Sequence, residues 1–368
     1  MRVDIMGDAT FDLQGRRVCV AGHSGMLGSA LVRRLADEDC RLLPLGREIL
    51  DLRDQAAVFA LFDEYRPDVV FLAAATVGGI YANDRQPADF LYDNLAIAAN
   101  VIEAARRSEV RKLVFFGTSC MYPKLAAQPI AENSLLEGPL EPTNEWYGVA
   151  KIAGVKLCQA YRRQYGCDFI TVVPTNLYGP GDNFDPLQSH VIPALIRKLY
   201  DAVEEGRETV AVWGTGKPRR EFMHVDDAAD AAVFLLRHWS AEEPINVGTG
   251  EDIGIAELAD MRPSPESSAS RAASRSTCQS LTARPGRRST LPSCSRSGGA
   301  RRSVSIREFV KPTTGFARRS ASPSPDLHKT TATTPACTQR RTQPCLASLI
   351  FREMLVEYWR RRRDGPRN

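Results

Sequence analysis

No stretch of this 368-residue chain is apolar for the roughly 18 residues a membrane-spanning helix needs, so no such helix is expected. The nine cysteines contain no C-x-x-C pair and no metal-ligand spacing, which argues against a zinc site and a disulfide framework. The N-terminus, MRVDIMGDATFDLQ, alternates charge and lacks the apolar core of a secretion signal. Together these absences point to a reduced, cytoplasmic protein without a metal or membrane partner. Acidic residues are scarce in only one part of the chain. Residues 1–260 hold 26 Lys and Arg against 38 Asp and Glu, whereas residues 261–368 hold 22 against 6. The total charge of +4 is therefore −12 followed by +16, and the basic balance belongs to the tail.

Strands with period-two alternation are also missing. The runs RVCVAG (17–22), RLLPLG (41–46), VVFLAAA (69–75), KLVFFG (112–117) and FITVVP (169–174) are apolar throughout, as strands buried on both faces are. Between them, segments beginning at Met26, Asp54, Asp89 and Tyr147 carry apolar residues at helical spacing. Strands alternating with helices predict a doubly wound parallel α/β sheet over residues 16–180, after a 15-residue extension. Beyond residue 180 the pattern predicts a helix at HVIPALIRKLYDAVEE, a strand at TVAVWG, a helix at HVDDAADAAVFLLRH and a strand at PINVG. Residues 181–260 thus read as a smaller substrate lobe with returns to the sheet.

At 261 the order changes. Of residues 261–350, 51 of 90 are Ser, Thr, Pro or Arg, with three acidic residues and no Tyr or Trp. So little apolar surface cannot offset the entropy of ordering, and disorder is expected over 261–368. A reading-frame shift near codon 260 of a G+C-rich gene accounts for this composition and is the favoured reading. A basic tail that binds an acidic polymer is the other. Nucleic acid is not an expected partner, because no aromatics interleave the basic residues.

VAGHSGMLGSALVRRLA follows the first strand and opens the first helix, with Gly22, Gly25 and Gly28 three apart. Glycines there allow a tight turn, close approach to a pyrophosphate and close helix–strand packing, while the helix N-terminus supplies amide donors. The candidate cradle is Gly22, His23, Ser24, Gly25, Met26, Leu27 and Gly28. The second strand ends PLGRE, with Arg47 where NAD sites carry an acid, which favours a ribose 2′-phosphate and hence NADP(H).

In EWYGVAK, Tyr147 and Lys151 stand four apart, on one face of a helix. A nearby cation favours phenolate, so the pair is expected to lower the tyrosine pKa and exchange a proton with a carbonyl or alcohol oxygen. In FFGTSCMYPK, Thr118, Ser119 and Cys120 follow a strand end, where ligands of parallel sheets sit. Taken alone, Cys120 reads as a small buried hydrophobe and His190 as a helix cap or surface residue.

With G-x-x-G-x-x-G, a strand-end hydroxyl and Y-x-x-x-K in order, the chain resembles the extended short-chain dehydrogenase/reductase family. The blocks AAATVGGIYAN, GTSCMYPK, EPTNEWYGVAKIAG, PTNLYGPGDNF, SHVIPALIRK, REFMHVDD and INVGTG resemble its epimerase-reductases for GDP-linked 4-keto sugars, over residues 17–260. That resemblance implies epimerisation at both carbons beside a ketone, by Cys120 and His190 as acid and base, then reduction by NADPH. It assigns Tyr147, Lys151 and Thr118 to the ketone oxygen. It assigns Phe116, Gly117, Thr118, Ser119, Lys151, Pro174, Thr175, Asn176, Leu177 and His190 to the cofactor, and Lys198, Trp213 and Arg220 to the GDP-sugar. It also implies an NAD(P)-binding Rossmann domain and a homodimer. Family members continue past INVGTG with segments that close the nucleotide pocket; this chain instead enters its basic tail. Another nucleotide-sugar epimerase or dehydratase of the same fold is the alternative enzyme reading.

Overall fold

Strands β1 (Arg16–Ala21), β2 (Cys40–Leu45), β3 (Val69–Leu72), β4 (Lys112–Phe116), β5 (Phe169–Pro174) and, late in the chain, β8 (Ile245–Val247) form one sheet in the order β2-β1-β3-β4-β5-β8. Every pairing in it is parallel. This computed structural model describes residues 11–185, 188–206, 210–212 and 214–259. The disorder expected over 261–368 and the role given to Trp213 fall outside those residues.

The unbroken apolar runs are explained by what covers them. Val70, Leu72, Leu113, Phe115, Phe169 and Val173 face helices α2 (Gln55–Tyr65), α4 (Pro87–Arg107) and α5 (Glu145–Tyr165). Val18, Val20, Val69, Phe71, Val114, Phe116, Ile170 and Val172 face α1 (Met26–Leu35) and α7 (Val225–His238). β1, β3, β4 and β5 therefore need apolar residues at odd and even positions alike, whereas the edge strand β2 leaves Arg41 exposed. β1 has β2 on one side and β3 on the other, so the chain leaves it in opposite directions, making the crevice where parallel sheets take ligands.

The remaining elements form a second unit. β6 (Asn176–Tyr178) runs parallel to β7 (Arg219–His224), and β7 pairs antiparallel with β9 (Asp252–Gly254). With α6 (Val191–Glu204) and α8 (Ile255–Ala259) they enclose a separate small core of Tyr178, Phe184, Ile192, Leu195, Ile196, Tyr200, Phe222, Leu258 and Ala259. The strand expected at TVAVWG is absent where it is described, since Val210, Ala211 and Val212 have no regular structure. β7 finds its partners in β6 and β9 instead, two strands too short to register as periodic patterns. The short helix α3 (Ile80–Arg85) also escapes periodicity. No helix among the described residues is long and apolar enough to cross a membrane.

Candidate active site

The loop after β1 is built around close approach. Gly22 has φ +88°, a left-handed conformation, and a Cβ on it would lie 2.7 Å from the Ala74 backbone beyond β3. A Cβ on Gly28 would lie 1.9 Å from the Gly22 carbonyl oxygen, so loop and helix α1 touch backbone to backbone. The amides of Gly22 and His23 donate to Leu45 O at 2.7 and 3.4 Å, tying the loop to β2. The first amides of a helix have no intrahelical acceptor, and here Gly25 offers no side-chain cap and the first turn no acid. Donors and a positive dipole end at this crevice fit the pyrophosphate of a dinucleotide. Ser24 is exposed, and Met26 and Leu27 pack against the α1-side core. His23 Nε2 lies 3.4 Å from Glu48 Oε1, and its buried Nδ1 has no partner.

Arg47 stands exposed just past β2, with a hydrogen bond of 3.4 Å to Thr76 Oγ1. Thr76 in turn donates to Asp93 at 3.0 Å. A guanidinium held beside the crevice's β2 edge suits a 2′-phosphate.

At the end of β4 the backbone turns into a short 3-10 segment, Ser119–Met121. Thr118 Oγ1 accepts from the Cys120 amide at 3.4 Å. Helix α5 meets this turn closely, since a Cβ on Gly148 would lie 2.7 Å from Cys120 O. Asn144, the residue preceding α5, donates from Nδ2 to Cys120 Sγ at 3.1 Å. Cys120 is half-buried, whereas Cys19 and Cys158 are sealed in the core and burial pushes both thiols up, Cys19 to about 12.

One helical turn separates Tyr147 from Lys151. Lys151 Nζ lies 5.9 Å from the Tyr147 ring centre and donates to Phe116 O at 3.0 Å. Its side chain is buried, and that burial pulls its pKa down to about 8. The tyrosine pKa is raised, first by burial and then by the neighbouring Cys120. The expected lowering of the phenol by the ammonium is therefore not what this arrangement produces. Desolvation of the buried phenol outweighs a cation whose Nζ is turned to a β4 carbonyl.

The segment leading to His190 hangs on the VGGIYAN loop. Gly79 donates its amide to Gln188 O at 2.7 Å, and a Cβ there would lie 2.5 Å from Ser189 O. Asn83 Nδ2 holds the Gly78 and Gly79 carbonyls at 2.8 and 3.1 Å. Phe90 meets the Tyr147 ring edge-on at 6.4 Å, and its far carbon lies 3.1 Å from where a Gly78 Cβ would stand. His190 then enters α6, its carbonyl accepting from the Ala194 amide. Its side chain stays open to solvent, yet the surrounding protein lowers its pKa, which favours neutral imidazole at neutral pH.

The β5–β6 residues that the resemblance assigns to the cofactor have structural work. Thr175 Oγ1 and Asn176 Nδ2 both donate to Glu221 O at 2.9 Å, clamping this segment to β7. Pro174 ends β5 and Leu177 packs against the α1-side core. Gly117 donates to Val172 O at 2.8 Å. On the lobe, Lys198 Nζ donates to Ala211 O at 3.2 Å with its pKa lowered by burial, and Arg220 donates to Arg219 O at 2.8 Å. Sequence reasoning passed over Asn144, Gly148, Gly79 and Asn83; small residues and amides carry no periodic signal. Among the described residues no group of three or more His, Cys, Asp or Glu could hold a metal.

Residues 18–248 match the model of the NAD dependent epimerase/dehydratase family. The GDP-L-fucose synthase of Sinorhizobium fredii is 57% identical over 247 residues, which cover 67% of this chain and 79% of that protein. That of Escherichia coli K12 is 54% identical over 254 residues, 66% and 79% of the two chains. A solved GDP-L-fucose synthetase from Naegleria fowleri bound to NADP superimposes with a TM-score of 0.63 at 32% identity, covering 68% of this chain and 83% of that one.

Proposed function

Because this chain belongs to the NAD dependent epimerase/dehydratase family, we propose that it carries out the GDP-L-fucose synthase reaction with NADP(H) as its cofactor. GDP-4-keto-6-deoxy-D-mannose is epimerised at the two carbons flanking its ketone, and the ketone is then reduced. One observation supports this over a simple ketone reduction: a half-buried thiol stands beside Tyr147 at the end of β4. Hydride transfer has no use for it, whereas inversion beside a ketone needs an acid and a base.

The division of labour follows from the chemistry of each group. Removal of a proton alpha to the ketone leaves negative charge on the 4-oxygen, which the Tyr147 and Thr118 hydroxyls stabilise by hydrogen bonding. Cys120 and His190 take a proton from one face and return one to the other, so each inversion is redox-neutral. NADPH supplies the hydride for carbon 4. Tyr147 gives its proton to the 4-oxygen, and Lys151, fixed to Phe116 O, keeps the phenol's surroundings cationic when protonated. Gly22, Gly25, Gly28 and Arg47 hold the cofactor's phosphates. Lys198, Trp213 and Arg220 meet the GDP-sugar, the two cations as diphosphate partners.

Incubation with GDP-4-keto-6-deoxymannose and NADPH in deuterated water tests this. NADPH absorbance should fall while deuterium enters both carbons beside the ketone. Reduction without deuterium uptake would leave only a ketone reductase. The composition break at 261 adds a second expectation: NADPH binds more tightly than the GDP-sugar, because the sequence beyond 260 departs from the family's pocket-closing segments. Dissociation constants of both, measured by calorimetry, decide that. The enzyme is cytoplasmic and dimerises through α4 and α5, where Tyr92, Trp146 and Val149 leave apolar surface exposed. Light scattering of wild type and Tyr92→Asp checks the assembly.

A further inference from the structure

Asn144 occupies the position before α5 at which an asparagine ordinarily caps the helix with its side-chain oxygen. Here the side chain makes no capping bond. Its Nδ2 instead donates to Cys120 Sγ at 3.1 Å, the one hydrogen bond its side chain has among the described residues. The amide oxygen Oδ1 is buried without a partner, an arrangement that costs stability. A residue serving the fold alone would cap the helix; this one forgoes the cap and leaves an acceptor unsatisfied. The rest of Cys120 is held equally closely. Its amide goes to Thr118 Oγ1, and its carbonyl fills the space where a Gly148 side chain would be.

We propose that Asn144 is a positioning residue for the Cys120 thiol, aiming Sγ from the start of α5 and favouring thiolate over thiol by donating an N–H to it. An N–H donor stabilises the charged sulfur more than the neutral one, and a thiol that exchanges protons with carbon needs both forms accessible. The Gly148 approach brings the helix near enough for this bond to form. The inference rests on reading Cys120 as one of the two proton-transfer groups.

The titratable groups on the elements around the pair are Glu145, Tyr147 and Lys151 on α5 and the Lys124–Glu141 ion pair on the segments flanking Cys120 and Asn144. None is altered by changing Asn144, so a shift in the thiol reports the amide. The test uses the full-length protein. Alkylation of Cys120 by iodoacetamide is followed against pH by mass spectrometry of its peptide, which separates it from the other eight cysteines. Asn144→Ala should raise the midpoint of that profile by about one to two pH units. Asn144→Leu, of similar size but without donor or charge, should raise it as far, and it keeps the test open if the alanine variant fails to fold. Deuterium uptake into the sugar should fall about 10- to 100-fold in kcat, with KM little changed.

Unmoved midpoints in both variants overturn the inference, whatever the activity. Shifted midpoints in a protein whose wild type exchanges no deuterium would uphold the Asn144–Cys120 coupling and remove the epimerase reading instead.

Discussion

The six-stranded sheet and the β6-β7-β9 lobe are stabilised differently. The sheet is covered on both faces, and its two core clusters between them include Phe62, Phe71, Phe115 and Phe169, each fully buried. The lobe has a single cluster, whose last members, Leu258 and Ala259, lie on a five-residue helix just before the composition changes. The groups proposed for the chemistry stand mainly on the better supported part: Thr118 and Cys120 after β4, Tyr147 and Lys151 on α5. The groups assigned to the sugar nucleotide stand on the other. Catalytic geometry needs rigid support, whereas a lobe that admits a large substrate can be held by less.

The largest effect expected is confined to the sheet side. Tyr147→Phe should lower the rate of reduction about 1000-fold while leaving both dissociation constants near wild type. A comparable loss from changing a lobe residue that does not touch substrate would break the contrast. Core truncations sharpen it further. Phe71→Ala should cost about 4 kcal/mol and remove NADPH and sugar binding together. Ile196→Ala, buried in the lobe, should cost about 3 kcal/mol and weaken sugar binding with NADPH binding retained; urea melts and calorimetry report both.

Lys151 gives a smaller, pH-dependent effect. Its folded pKa of about 8 lies below the unfolded value of 10.5, so the unfolded chain binds more protons between those limits. Stability should therefore rise with pH from about 8 towards 10.5, the buried ammonium being a cost at lower pH. Lys151→Met should remove that slope and raise the stability at pH 7 by up to about 3 kcal/mol, at the expense of catalysis. Urea midpoints at pH 7.5 and 9.5 measure it. The smallest effect separates two helix starts. Asp54 caps α2 by accepting from the Ala57 amide at 3.1 Å, so Asp54→Ala should cost about 1 kcal/mol. Asn144→Ala at α5 loses no cap and should shift the thermal midpoint less.

How much could be foreseen depends on how local the cause is. β1 to β5 follow from runs of apolar residues, because burial on both faces leaves no other pattern. Helices α1, α2, α4, α5, α6 and α7 follow from 3.6-residue periodicity, each to within a few residues. Strands of three residues such as β6 and β9 give no period to detect, and α3 owes its start to Gly79, whose amide donates to Gln188 O, and to Asn83, whose Nδ2 holds the Gly78 and Gly79 carbonyls. The Gly22–Gly25–Gly28 spacing pointed to a loop of close backbone approach, yet Glu48 folding against His23 was not visible in it.

By itself the sequence determined the parallel sheet, the glycine loop and the four-residue spacing of Tyr147 and Lys151, all consequences of short-range pattern. Only the tertiary structure decided the state of those groups. Burial raises the phenol that spacing alone says should be lowered, and it sets Lys151 near 8, because desolvation depends on everything packed around a side chain. The same holds for Asn144. Its place before a helix predicts a cap, and the close approach of α5 to Cys120, which Gly148 permits, turns it to the sulfur instead.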